Sequence, residues 1–281
     1  MTRYISTPSR TKEILEQYSL HAKKGYGQNF LVDPVIVEKC AEASHCEGAV
    51  IEIGPGIGSL TEQLALHAKH VTAYEVDEAL KPVLADTLSP YDNVEIIWQD
   101  FLKCDLKEVT GRLEKVYGSV SVCANLPYYI TTPVLFKLFE EASIRYITVM
   151  VQKEVGERFA ALPDSSAYST LSVEGQYLYQ VKKLFNVPAR SFNPSPAVDS
   201  VIIQFSRRDD VQESQEETAA YFAFLKGCFK QRRKTIYNNL KEYLQDGTKA
   251  DEALQKAGIS PKTRAQSMGQ EELRRLYEAL R

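Results

Sequence analysis

Ile51-Glu52-Ile53-Gly54-Pro55-Gly56-Ile57-Gly58 decides how this chain folds. An apolar run ends in alternately spaced glycines and continues as Ser59-Leu60-Thr61-Glu62, which reads as a strand, a tight turn and a helix start. Glycine permits positive φ and lets a backbone come close to a nucleotide-like ligand. Dinucleotide-binding folds carry a similar turn, so the neighbours must discriminate. Here the spacing is Gly-x-Gly-x-Gly rather than Gly-x-Gly-x-x-Gly, and Glu75 ends the next strand, placed to accept hydrogen bonds from both hydroxyls of a ribose. A ribose is implied, but not a pyrophosphate. Asp100, in Trp98-Gln99-Asp100-Phe101 after the third strand, is positioned either to reach an adenine amino group or simply to cap a helix.

Outward from that turn, short apolar runs recur at 49–53, 70–74, 94–98 and 116–123, separated by helix-length segments. Strand alternating with helix means a mainly parallel sheet covered on both faces, an α/β Rossmann-like architecture. Runs at 146–151, 181–187 and 200–205 bring the strands to about seven, the last two read as an antiparallel edge pair joined by the proline-rich 188–196 loop. Residues 11–20 read as a helix, 23–30 as a glycine-hinged loop, and Pro34 as the start of a helix to about Ala43. The acidic stretch 209–217 lacks apolar period and reads as a linker. Helical patterns follow at 219–229, 234–244, 250–257 and 270–280. The expected organisation is a catalytic domain over 1–207, with an N-terminal helix and cofactor lid in 1–30, and a small all-helical domain over 208–281.

At 281 residues there is room for both. A net charge of -3 and a pI near 5.9 exclude whole-molecule attraction to nucleic acid, so any RNA site is a local patch. No segment resembles a membrane span or a signal peptide, which implies a cytoplasmic address. The five cysteines contain no Cys-x-x-Cys pair, and the four histidines no His-Glu-x-x-His. Neither a disulfide framework nor a metal site is expected.

A second motif carries chemistry. Ser121-Val122-Cys123-Ala124 runs into Asn125-Leu126-Pro127-Tyr128-Tyr129-Ile130, and Thr131-Thr132-Pro133 opens the next helix. An amine conjugated to a purine is a poor nucleophile because its lone pair is delocalised. The Asn125 side-chain oxygen and the Leu126 carbonyl can accept the two amino hydrogens and favour a pyramidal nitrogen aimed at a sulfonium methyl group. Pro127 fixes φ and brings no competing donor, while Tyr128 offers an aromatic face to a base taken out of its stack. Standing alone, such a turn reads as a proline turn with core aromatics. Following the fourth strand of this sheet, it opens on the same edge as the glycine turn.

These motifs closely resemble the ribosomal RNA adenine dimethyltransferases, specifically those of the bacterial small subunit. The likeness runs from Tyr26 to about Leu240 and includes Gly27-Gln28-Asn29-Phe30-Leu31, Glu52-Ile53-Gly54-Pro55-Gly56, Asn125-Leu126-Pro127-Tyr128, Gln152-Lys153-Glu154-Val155, Val187-Pro188 with Phe192-Asn193-Pro194-Ser195-Pro196, and Phe229-Lys230-Gln231-Arg232-Arg233-Lys234. The resemblance implies S-adenosyl-L-methionine as cofactor, with Asn29 and Leu31 over it, Gly54 lining it, Glu75 on the ribose, Asp100 on the adenine and Asn125 serving both pocket and catalysis. It also implies the product, two methyl groups at N6 of each of two adjacent adenines near the 3′ end of 16S rRNA, made late in 30S biogenesis. Two departures stand out: Ala189 replaces a second proline, and the 163–170 loop lacks the family's glycines and arginine.

Lys226, Lys230, Arg232, Arg233, Lys234 and Lys241 fall in a segment that contains no acid, with Phe229, Ile236, Tyr237 and Leu240 forming its apolar side. Most such runs are solvated helix faces; this one is read as the RNA contact, with Lys23 and Lys24 as secondary candidates. Competing readings are a 23S rRNA dimethylase of the antibiotic-resistance type and an RNA-binding assembly factor. A nicotinamide dehydrogenase is disfavoured by the glycine spacing. A monomer is expected.

Overall fold

Apolar runs and helical segments alternate in the computed structural model, which describes residues 4–21, 28–211 and 214–281. In chain order come α1 (Pro8–Gln17), β1 (Phe30–Leu31), α2 (Pro34–Glu42), β2 (Ala49–Ile53), α3 (Ser59–His67), β3 (His70–Glu75), α4 (Lys81–Thr87), β4 (Val94–Trp98), α5 (Leu106–Tyr117), β5 (Val120–Asn125), α6 (Thr131–Phe139) and β6 (Tyr146–Gln152). Then follow α7 (Lys153–Phe159), α8 (Thr170–Leu178), β7 (Tyr179–Val187), β8 (Phe192–Asn193) and β9 (Ser200–Arg207). Seven strands form one sheet in the order β4-β3-β2-β5-β6-β9-β7. Neighbours from β4 to β6 are parallel, and β9 runs antiparallel to β6.

From β2 the chain winds outward to β3 and β4, then returns to β5 on the other side of β2. In such sheets the crevice opens beyond the carboxyl ends of the two strands where the winding reverses. Here those ends are Ile53 and Asn125, so the glycine turn and the Asn-Leu-Pro-Tyr turn meet at one place. All five residues of β2 are buried, as a central parallel strand requires. Val37, Cys40, Val50, Leu64, Val71 and Cys123 pack between the sheet and α2 and α3, while Ile14, Ile57, Leu80, Val83 and Leu84 form a second cluster. All five cysteines are free and buried. The Glu62 carboxylate anchors the N-terminal segment, accepting from Ile5 N–H at 2.8 Å and from the Tyr91 hydroxyl at 3.1 Å.

Two details differ from the expectation. The run expected at 116–123 begins later, at Val120, because α5 continues through Tyr117 and Gly118, at φ +89°, turns the chain. Asn125 is consequently the last strand residue. β9 and β7 are neighbours at one edge of the sheet, where the pair was expected. A separate two-residue ribbon, which the sequence pattern does not announce, pairs Phe30 with Asn193 and Leu31 with Phe192.

The chain divides into two compact units, Met1–Gly156 with Lys182–Arg207, and Glu157–Val181 with Arg208–Arg281. Residues 157–181, expected in the catalytic domain, group with the second unit instead. That unit also holds α9 (Gln215–Cys228), α10 (Ile236–Leu244), α11 (Gly247–Ala257) and α12 (Gln270–Glu278). A capping box between Ser214 and Glu217 starts α9. Its core is aromatic: Tyr221 packs 5.1 Å from Tyr277 and 6.0 Å from Phe224 between ring centroids. The helix expected from 234 starts at Ile236 behind the Thr235 cap, so Lys230 to Lys234 occupy a turn rather than a helix face. Among the described residues no helix is long and apolar enough to cross a membrane.

Candidate functional site

One cavity enclosing about 1110 Å³, its open mouth included, lies at the carboxyl ends of β2, β3 and β5. Asn29, Leu31, Gly54, Glu75, Asp100, Asn125, Leu126, Pro127 and Tyr128 all line it. Gly54 has φ +74°, which a side chain would strain, and a Cβ there would stand 3.8 Å from Pro127. The glycine turn and the Asn125–Tyr128 turn are therefore adjacent at the cavity.

Glu75 is 6% exposed. One oxygen accepts from Val76 and Asp77 N–H, each at 2.8 Å, and the other from Gly56 N–H at 3.4 Å. Burial raises its pKa, and these backbone hydrogens pull it back. Asp100 caps the turn, one oxygen accepting from Leu102 N–H at 3.0 Å, and the residue also lines the cavity. Glu52, a residue of the glycine motif to which the sequence alone assigned no role, also lines it, is 1% exposed, and has an oxygen without a hydrogen-bond partner. Burial pushes this carboxyl up to about 8, the Thr61 hydroxyl opposing and the Glu75 charge adding to the rise.

At the catalytic turn, Leu126 N–H donates to the Met150 carbonyl at 3.2 Å and its side chain is buried, which fixes the orientation of the peptide. The Pro127 carbonyl is taken by Ile130 N–H and the Thr131 hydroxyl. Neither the Asn125 side chain nor the Leu126 carbonyl meets a hydrogen-bond partner among the described residues, and both residues line the cavity. Tyr128 is held by its hydroxyl, 2.8 Å from Ser200 Oγ. Phe30, Tyr74, Phe101, Phe192 and the exposed Tyr129 complete the aromatic lining. Sequence reasoning did not single these out as site residues, although Phe30 and Phe192 stand within motifs that carry the family resemblance.

The basic residues are less free than their sequence suggests. Lys230 bonds Glu242 at 2.7 Å, and Gln231 takes the other oxygen of that carboxylate, so α10 supplies the acid missing from the segment. Lys226 lies 3.8 Å from the buried carboxylate of Glu174, which burial pushes up to about 7. Arg232 donates to the Ser166 carbonyl, while Arg233, Lys234 and Lys241 are exposed. The divergent 163–170 loop thus braces the basic turn, and its Tyr168 is core, with its hydroxyl on the Met268 carbonyl at 2.9 Å. Lys23, Lys24, Tyr26 and Gly27 lie outside the described residues.

A family model described as ribosomal RNA adenine dimethylase matches residues 19–281. A Bacillus pumilus protein named ribosomal RNA small subunit methyltransferase A is 47% identical over 287 residues, covering 100% of this chain and 98% of its own. Its namesake from Staphylococcus epidermidis is 46% identical, covering 98% and 95%. Among solved structures, the 23S rRNA methyltransferase ErmE superposes with a TM-score of 0.70 at 28% identity, over 90% of this chain and 99% of that one. A Plasmodium falciparum dimethyladenosine transferase gives 0.69 at 26%, over 87% and 94%. With the family model spanning both units and relatives near half identity along the whole length, the chain belongs to the ribosomal RNA adenine dimethylase family.

Proposed function

We propose that this chain transfers methyl groups from S-adenosyl-L-methionine to N6 of two adjacent adenines near the 3′ end of 16S rRNA, giving N6,N6-dimethyladenosines during late 30S assembly, as a cytoplasmic monomer. The observation that carries the reading is the pair of unspent acceptors, Asn125 and the Leu126 carbonyl, on the wall of an acid-lined cavity. The identities of 46–47% to small-subunit methyltransferases, against 28% to ErmE, favour 16S over 23S rRNA.

The residues present suit the cofactor. Glu75 would hold the ribose and Asp100 the adenine, with Asn29, Leu31 and Gly54 against the ligand. Glu52, a buried carboxyl with an unpartnered oxygen, would be ionised by a cationic group of the ligand, which opposes the rise that burial causes. When bound, the cofactor supplies an electrophilic methyl group. Asn125 and the Leu126 carbonyl accept the two amino hydrogens of the target adenine, drawing its lone pair out of conjugation. These bonds strengthen as positive charge grows on the nitrogen, so they stabilise the transition state more than the ground state. No base is required beforehand, because the proton leaves after the nitrogen has become cationic. Tyr128 stacks on the extruded base. The turn bearing Arg232, Arg233 and Lys234 meets phosphates.

The test is incubation with labelled S-adenosyl-L-methionine and unmethylated 30S or 50S subunits, followed by mass spectrometry of the nucleosides. Dimethyladenosine is expected in 16S rRNA, with turnover falling roughly 100-fold or more in Asn125→Ala by analogy with the loss of a catalytic hydrogen bond. Dimethyladenosine confined to 23S rRNA, or no transfer at all, would overturn the reading.

A further inference from the structure

Ser200 opens β9 and is fully buried, opposite Gln152 of β6. The residue before it is pinned twice: the Asp199 carbonyl accepts from Lys153 N–H at 3.0 Å and its carboxylate from Ala189 N–H at 2.8 Å. Ser200 Oγ is therefore a fixed point in the sheet. The Tyr128 hydroxyl lies 2.8 Å from it, across 72 residues of chain. Tyr128 itself sits in a single short turn, Tyr128–Ile130, and is only half-buried, so its own backbone does little to set its ring plane. The segment leading to Ser200 also carries Phe192, a second aromatic wall of the cavity, clipped to Leu31 through the two-residue ribbon.

We infer that Ser200 is a positioning residue, which holds the Tyr128 ring at the angle a flipped adenine needs for its amino nitrogen to meet Asn125 and the Leu126 carbonyl. The inference rests on the proposed role of Tyr128 as the base platform. Freed from Ser200, the ring keeps its stacking area but loses its orientation, and misorientation of a reactant costs rate more than affinity. Affinity for RNA comes mainly from phosphate contacts, which the bond does not touch.

The test compares Ser200→Ala, Tyr128→Phe, their double variant and Tyr128→Ala in the full chain on unmethylated 30S subunits, with rates normalised to the fraction of chains that bind S-adenosylhomocysteine. Each single variant that removes the bond should lower kcat about five-fold, the scale of one hydrogen bond, with KM for the subunit changed less than about two-fold. The double variant should be no slower than either single one, since all three lack the same bond. Tyr128→Ala, which removes the ring as well, should be far slower. Wild-type kcat in both single variants, or a double variant whose loss is the product of the two, overturns the tether while leaving the platform intact. Full activity in Tyr128→Ala overturns the platform and the tether with it.

Discussion

Replacing Glu52 by Gln should make the cofactor-free protein more stable at neutral pH, by an amount that grows with pH. The carboxyl is 1% exposed, one oxygen has no partner, and burial raises it from 4.5 to about 8. Between those two values the folded chain keeps Glu52 protonated while the unfolded chain ionises it. Stability therefore falls as pH rises through this window, by about 1.4 kcal/mol per pH unit, and by about 3 kcal/mol in total at pH 7. An amide has the shape of the protonated carboxyl and does not ionise. The difference in unfolding free energy between Glu52→Gln and the parent should thus be small near pH 4.5, rise to about 3 kcal/mol at pH 7, and level off above pH 8. Urea titrations followed by Trp98 fluorescence read this well, because the only tryptophan sits on β4, in the same sheet. A difference that stays flat from pH 5 to 8 would mean that burial does not set the protonation of Glu52. A variant less stable than its parent at pH 8 would refute the reasoning outright.

Two further outcomes follow from the described contacts. Lys137 Nζ donates to the Leu102 and Cys104 carbonyls, at 3.1 and 2.8 Å, bracing the turn that begins at Asp100; Lys137→Met should weaken S-adenosylhomocysteine binding about ten-fold by calorimetry, and unchanged affinity would show that the turn stands without it. Reversing Arg232 and Arg233 to Glu should weaken RNA binding and flatten the dependence of log K on log salt by about two, one for each phosphate no longer neutralised. An unaltered slope would remove the basic turn from the RNA site.

The strands nearest the site were legible because their physics is local. β2, β3 and β4 are short runs dominated by apolar residues, and the glycine turn and Asn125-Leu126-Pro127-Tyr128 announce themselves in a few consecutive residues. What escaped depends on distant partners. A ribbon of two residues has no period to detect, so the pairing of Leu31 with Phe192 leaves no trace in either segment. The grouping of residues 157–181 with the second unit rests on side chains such as Tyr168, whose hydroxyl meets Met268 a hundred positions away. An acid-free run of basic residues proved to have an acid beside it, since Glu242 stands on α10 just past the segment's end and meets Lys230. The Ser200 bond to Tyr128 belongs with these.

On the proposed reading, the charges give the base a reason to leave its stack. Glu75 and Asp100 line the cavity, and the chain as a whole carries -3. An acidic wall favours a cationic cofactor and opposes a phosphate. At physiological salt that opposition fades over about 8 Å. Phosphates can therefore be held by a local basic cluster on a net-acidic protein while the cavity itself still rejects them. A neutral purine is not rejected, and extruding it from its stack lets the base enter while the ribose keeps its phosphate at the mouth. The same acids that suit the cofactor thus admit the base and exclude the backbone that carries it. Neutralising them would loosen both discriminations together, so the cavity's charge serves selectivity for the substrate as much as affinity for the methyl donor.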